Sequence, residues 1–135
     1  MREILFHGKR IDNGEWVEGD LVHSYFKVGD TCINKSKENL GFYQVDPATV
    51  GQYTGLCDKN NKKIFEGDIC QIKNHRLISE VPFVVEWKDF VYNGWVWKDL
   101  DENKNEDCFT RAVAKICEVI GNVHDNKDLL EMNYE

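Results

Sequence analysis

Apolar positions along this chain fall in short runs separated by polar turns, with the alternation of half-buried strands rather than the longer period of helices. Ile4-Leu5-Phe6 opens the series. Asp12-Asn13-Gly14-Glu15 follows, and Asn-Gly between apolar runs predicts a tight hairpin, because both central residues of such a turn take positive φ. Trp16-Val17 starts the return strand. From Leu21 to Val28 a β-branched and aromatic run, broken at Gly29-Asp30 and resumed at Thr31-Cys32-Ile33, predicts a second hairpin. Lys35 to Gly41 reads as a polar connection. Phe42-Tyr43-Gln44-Val45 reads as a strand ended by Asp46-Pro47, since proline has no N–H to give a ladder.

The second half continues in the same way. Tyr53 to Leu56 and Ile64-Phe65 flank the polar turn Asp58-Lys59-Asn60-Asn61-Lys62, and further strands are expected at Ile69 to Ile72, Val81 to Trp87 and Trp95-Val96-Trp97. Pro82 marks a strand start or an edge. Asp99 to Asp107 is acidic and nearly without apolar residues, which predicts a solvated loop. Phe109, Val113, Ile116 and Cys117 recur at helical spacing and place one short helix near residues 106–116, leading into a last strand over Glu118 to Val123. Asp125 to Leu130 predicts a closing helical turn that packs Leu129 and Leu130. The fold class is mostly β, and 135 residues suffice for a real core without disulfides or metals.

An internal repeat underlies this pattern. Asn13-Gly14-Glu15-Trp16-Val17-Glu18-Gly19-Asp20-Leu21 matches Asn61-Lys62-Lys63-Ile64-Phe65-Glu66-Gly67-Asp68-Ile69, and upstream Phe6-His7-Gly8 matches Tyr53-Thr54-Gly55 after a one-residue slip. Each copy offers an aromatic strand, a polar turn, an apolar pair and then Glu-Gly-Asp. Glycine permits a bend or bulge, and aspartate holds one by accepting backbone N–H bonds. Gly19, Asp20, Gly67 and Asp68 are therefore expected to form equivalent structural turns, related by a local pseudo-twofold.

With Val45-Asp46-Pro47, Val50-Gly51-Gln52-Tyr53-Thr54-Gly55-Leu56, Asp58-Lys59-Asn60, Ile64-Phe65-Glu66-Gly67-Asp68-Ile69 and Val119-Ile120-Gly121-Asn122, nearly the whole chain resembles the YopX family of phage and prophage proteins. Asn61 stands where a glycine usually completes the turn, and Lys127 where a proline usually follows asparagine. Asn tolerates positive φ, so the first departure leaves the hairpin intact. The resemblance implies an SH3-like small barrel over residues 51–135, with an N-terminal β-hairpin region over residues 1–50 packed on it as one compact domain. It implies phage or prophage encoding and carries no assigned biochemical activity.

Composition narrows the chemistry. The net charge is −7, but residues 1–76 carry 11 basic and 11 acidic side chains, whereas residues 77–135 carry 6 and 13. That surplus disfavours general affinity for a phosphate backbone, so nucleic acid is not the expected partner. No run is long and apolar enough to span a membrane, and Met1 to Gly8 holds too short an apolar stretch for a signal peptide, which points to the cytoplasm of a bacterial host. Five cysteines without a C-x-x-C pair read as mostly buried free thiols, and no cofactor is implied.

Candidate functional residues fall in three groups. Glu18, Asp20, Glu66 and Asp68 would form an oxygen-rich divalent-metal site if the repeats faced one another, and turn geometry is the plainer expectation. Trp95 and Trp97 share one strand face, with Trp87 and Tyr92 nearby, as a stacking platform or as core. Lys59, Lys62 and Lys63 form a basic turn, a local nucleic-acid contact as in some SH3-like barrels. No nucleophile elbow, P-loop or Rossmann glycine pattern occurs, so no catalytic residue is assigned. The expected function is a non-catalytic protein-binding or self-assembling module. The alternatives are an acidic DNA mimic built on Asp99, Asp101, Glu102, Glu106 and Asp107, a nucleic-acid-binding barrel, and last a metal-dependent hydrolase.

Overall fold

The computed structural model describes residues 3–35, 41–89 and 93–132. The chain is mostly β, with two antiparallel sheets, and divides into two compact units, Met1–Gly55 and Leu56–Glu135.

In the first unit, β1 (Phe6–Lys9) and β2 (Trp16–His23) pair from Lys9↔Trp16 to Phe6↔Gly19. Their connection is longer than the two-residue turn expected at Asn13-Gly14. Arg10 N–H donates to Glu15 O at 2.9 Å, the Asn13 side chain accepts from Glu15 N–H, and of the two central residues only Gly14 takes positive φ, at 73°. β3 (Thr31–Asn34) pairs with the far half of β2, and β4 (Phe42–Gln44) pairs with β3. A single 3-10 turn, Pro47–Thr49, is capped by Asp46 and uses Thr49 Oγ1 to accept from Lys9 N–H. It delivers the chain to β5 (Gly51–Cys57) beside β1, so the strands run β4-β3-β2-β1-β5. Alternation puts Val17, Ile33 and Val45 into the core, with Phe6, Leu21, Tyr43 and Val50 around them.

The second unit begins where β5 passes Gly55. A turn at Asp58 returns the chain as β6 (Lys63–Phe65), and Glu66-Gly67 bends it into β7 (Asp68–Gln71). β8 (Phe83–Lys88), β9 (Gly94–Asp99) and β10 (Glu106–Cys108) continue as a meander, and α1 (Arg111–Ile116) swings the chain back so that β11 (Glu118–Asn122) lies against β7. The strand order is β10-β9-β8-β7-β11, a meander with its last strand beside its first. α2 (Lys127–Glu131) follows. Ile64, Cys70, Ile72, Phe83, Val85, Phe109, Ala114 and Cys117 make the core.

Two expectations need correction here. The helix starts at Arg111 rather than near residue 106, because Glu106–Cys108 zips onto β9 as a strand and Thr110 caps α1 by accepting from Val113 N–H. The acidic loop is correspondingly shorter. Ile116 and Leu130, expected to pack, are among the exposed apolar residues. Among the described residues, no helix is long and apolar enough to cross a membrane.

Candidate functional site

β2 ends at His23, and residues 24–30 form a loop rather than the continued strand expected to Val28. The cause is Asp30. Its buried carboxylate accepts from Tyr25 N–H at 2.9 Å and from Phe26 and Lys27 N–H at 3.0 Å, taking donors that a strand would give to a neighbour. Ser24 N–H donates to Asp30 O, and Gly29 N–H donates to Ser24 Oγ at 3.0 Å. Gly29 takes φ 89° and Ser24 φ 60°, so both ends of the loop turn through left-handed conformations. Burial pushes the Asp30 carboxyl up, but the N–H donors of Lys27, Phe26 and Tyr25 and the Cys32 thiol outweigh it and hold its pKa below the usual carboxylate range.

A polar interior with an apolar exterior results. Val28 is 96% exposed, Phe26 58% and Tyr25 51%. The Tyr25 ring stacks on Phe42 at 3.8 Å and meets Phe26 edge-on at 4.9 Å, so the aromatic members are held in place. Lys27 sits exposed between Phe26 and Val28. In the sequence the signal lay in Ser24 and Gly29-Asp30 bracketing Tyr25-Phe26, where apolar alternation lapses.

The duplicated motif is used in two different ways. In the second copy Gly67 has φ 89° and makes the expected bend, and Asp68 Oδ2 accepts from Phe65 N–H at 2.9 Å. Burial pushes the Asp68 carboxyl up to about 7, opposed by Phe65 N–H and Lys62 and reinforced by Asp58. In the first copy there is no bend. Gly19 and Asp20 stay inside β2, and the strand changes partner between them, from β1 at Gly19 to β3 at Asp20. Glycine is needed there because a Cβ would overlap the Asn34 carbonyl oxygen, and Asp20 stays exposed. The expected equivalence of the turns therefore fails at Gly19 and Asp20.

Glu18 is exposed, Glu66 half-buried, and among the described residues no group of three or more His, Cys, Asp or Glu side chains is arranged to hold a metal ion. The metal reading of Glu18, Asp20, Glu66 and Asp68 gains nothing from the geometry. Cys32, Cys70 and Cys117 are buried. Burial and Asp30 push the Cys32 thiol up, while hydrogen bonding to Cys117 and then burial push Cys70 well up, the opposite of an activated nucleophile.

The basic turn is tied down by Asp58, a residue the sequence reading treated only as turn. Its Oδ1 accepts from Asn60 and Lys62 N–H and its Oδ2 from Val119 N–H, each at 2.9 Å. Asn61 takes φ 64°, as its substitution for glycine allows. Lys59 and Lys62 are exposed, Lys63 is half-buried, and Lys59 approaches Glu118 at 3.9 Å. Trp95 and Trp97 pack against the core, Trp97 edge-on to Phe83 at 4.6 Å, so they are not an open stacking platform. Trp87, 42% exposed, meets Trp95 edge-on at 5.2 Å and donates its indole N–H to Asp89. Tyr92 lies outside the described residues.

These features define a class, a mostly β protein of two antiparallel sheets that presents one internally braced apolar loop. The profile of the family described as YopX protein matches residues 6–131, and the chain belongs to the YopX family. Among solved structures it is similar to protein EF1440 from Enterococcus faecalis, at 20% identity over 96% of this chain and 99% of that one, with a TM-score of 0.54, a likeness of fold alone. No curated protein matches it.

Proposed function

We propose that this is a non-catalytic recognition module of phage or prophage origin that holds a protein partner through residues 24–30. The observation that carries the reading is the braced loop. Asp30 satisfies its N–H groups from within while Tyr25, Phe26 and Val28 face solvent. Exposed apolar groups on a mobile loop would lose binding energy to ordering, whereas a loop already fixed has met that cost before its partner arrives. Aromatic anchors are also the side chains that dominate protein interfaces.

The acidic-mimic alternative is less well supported by its own residues. Asp99 is half-buried, its carboxyl pushed up by burial and by Asp101, and Glu106 is matched by Lys88 at 3.4 Å, which blunts the charge such a surface would need.

A photo-cross-linking amino acid placed at Val28 in producing cells tests the proposal. The expected result is a discrete protein adduct that disappears when Phe26→Ser is added. The same group at exposed Lys115 serves as control. Equal labelling from both positions, or none from position 28, counts against the reading.

A further inference from the structure

We infer that the partner of the loop at residues 24–30 is a second copy of this chain, received on the patch around Trp87 and Trp95; this rests on the loop's being a protein-recognition site. The two surfaces are complementary in both apolar content and charge. At the loop, Phe26 and Val28 project beside Lys27, with His23 also exposed. The one carboxylate there, Asp30, is buried and turned inward onto backbone N–H groups, so the charge the loop presents to solvent is the positive charge of Lys27.

The receiving patch has the opposite character. Trp87 and Trp95 are cross-strand neighbours on β8 and β9, so both rings stand on one face, and Trp87 is the large aromatic of the second unit left open to solvent among the described residues. Carboxylates rim it. Asp89 is exposed and accepts from the Trp87 indole, and Asp107, exposed on β10, pairs with Trp97, which lies on the same face two residues beyond Trp95. An apolar loop carrying a lysine thus has, on another copy, an exposed Trp87 backed by half-buried Trp95, with an acidic edge. Because the two surfaces differ, copies combine either reciprocally, each loop in the other's patch as a closed dimer, or head-to-tail, leaving one free loop and one free patch.

Sedimentation velocity of the full chain over a concentration series tests this. Wild type is expected to associate, as a closed dimer or beyond, and to do so less as salt rises. The double variant Phe26→Ser, Val28→Ser and the single variant Trp87→Ser are each expected to weaken self-association at least tenfold. The deciding measurement mixes them, because each supplies the surface the other lacks. A one-to-one heterodimer from two monomeric variants supports the inference and excludes misfolding as the cause of the single-variant losses. Wild type that stays monomeric throughout, or variants that do not combine, overturns it, as does association that Trp87→Ser leaves untouched. A monomeric wild type that still gives Phe26-dependent adducts from position 28 sinks only the self-partner inference. Loss of those adducts as well would sink the recognition reading.

Discussion

Two residues with the same motif position show how much a single backbone or carboxyl environment decides. Gly67 supplies a left-handed φ and Gly19 supplies absence of bulk beside the Asn34 carbonyl, so the two should respond differently to one substitution. Asparagine tolerates the left-handed region, and Gly67→Asn should cost roughly 1 kcal/mol. Gly19→Asn must displace backbone and should cost about 3 kcal/mol, measured by urea denaturation. Asp68 gives a pH-dependent expectation. Its folded pKa of about 7 lies above the ordinary aspartate value of 3.8, so between those values the native state holds a proton the unfolded chain has lost, and stability falls as pH rises through that window. About three pKa units bound this contribution at roughly 4 kcal/mol. Asp68→Asn keeps an oxygen for Phe65 N–H and loses the titration. Denaturation at a series of pH values should therefore show a flatter decline than wild type between pH 4 and 7.

Residues 24–30, as an element, have stability separable from that of the sheet they leave. Their order comes from the Asp30 carboxylate and Ser24 Oγ rather than from strand pairing, so Asp30→Ala should free the amides of Tyr25, Phe26 and Lys27 while β2 and β3 remain paired. Hydrogen exchange at those amides should accelerate on the order of tenfold or more, with Leu21 and Ile33 unchanged. Unfolding of the whole first unit at the same rate would mean that Asp30 supports the sheet as well. The Asp58 turn follows the same logic by a longer route, because its carboxylate reaches Val119 and so joins the β5–β6 hairpin to the start of β11. In both elements a short acidic side chain does what a ladder of strand bonds would otherwise do.

Over the whole molecule, charge and apolar surface are distributed unevenly in a way the total conceals. The acidic surplus lies wholly beyond residue 76, whereas the loop of the first unit shows solvent the positive charge of Lys27. Each unit has its own buried cluster, Val17, Ile33 and Val45 in one and Ile64 to Cys117 in the other. The division falls within β5 at Gly55, which takes φ 87°, rather than at residue 50. Composition read over the chain therefore describes neither unit.

Strand existence was legible in the chain because alternation and turn residues act locally. The apolar faces of Trp16–His23 and Thr31–Asn34, the Asp46-Pro47 stop and the short helix before Glu118 follow from neighbours within a few residues. Family membership was legible for the same reason, since the ordered motifs are themselves local strings. What the tertiary structure alone decided is which partner each backbone N–H takes. Two identical Glu-Gly-Asp segments diverge because one lies against Asn34 and the other must turn into a new sheet. The aromatic run at Tyr25-Phe26 leaves its strand because Asp30, several residues on, outcompetes the neighbouring strand for its donors. Pattern measures local preference, whereas hydrogen-bond competition is settled only once distant groups are in place.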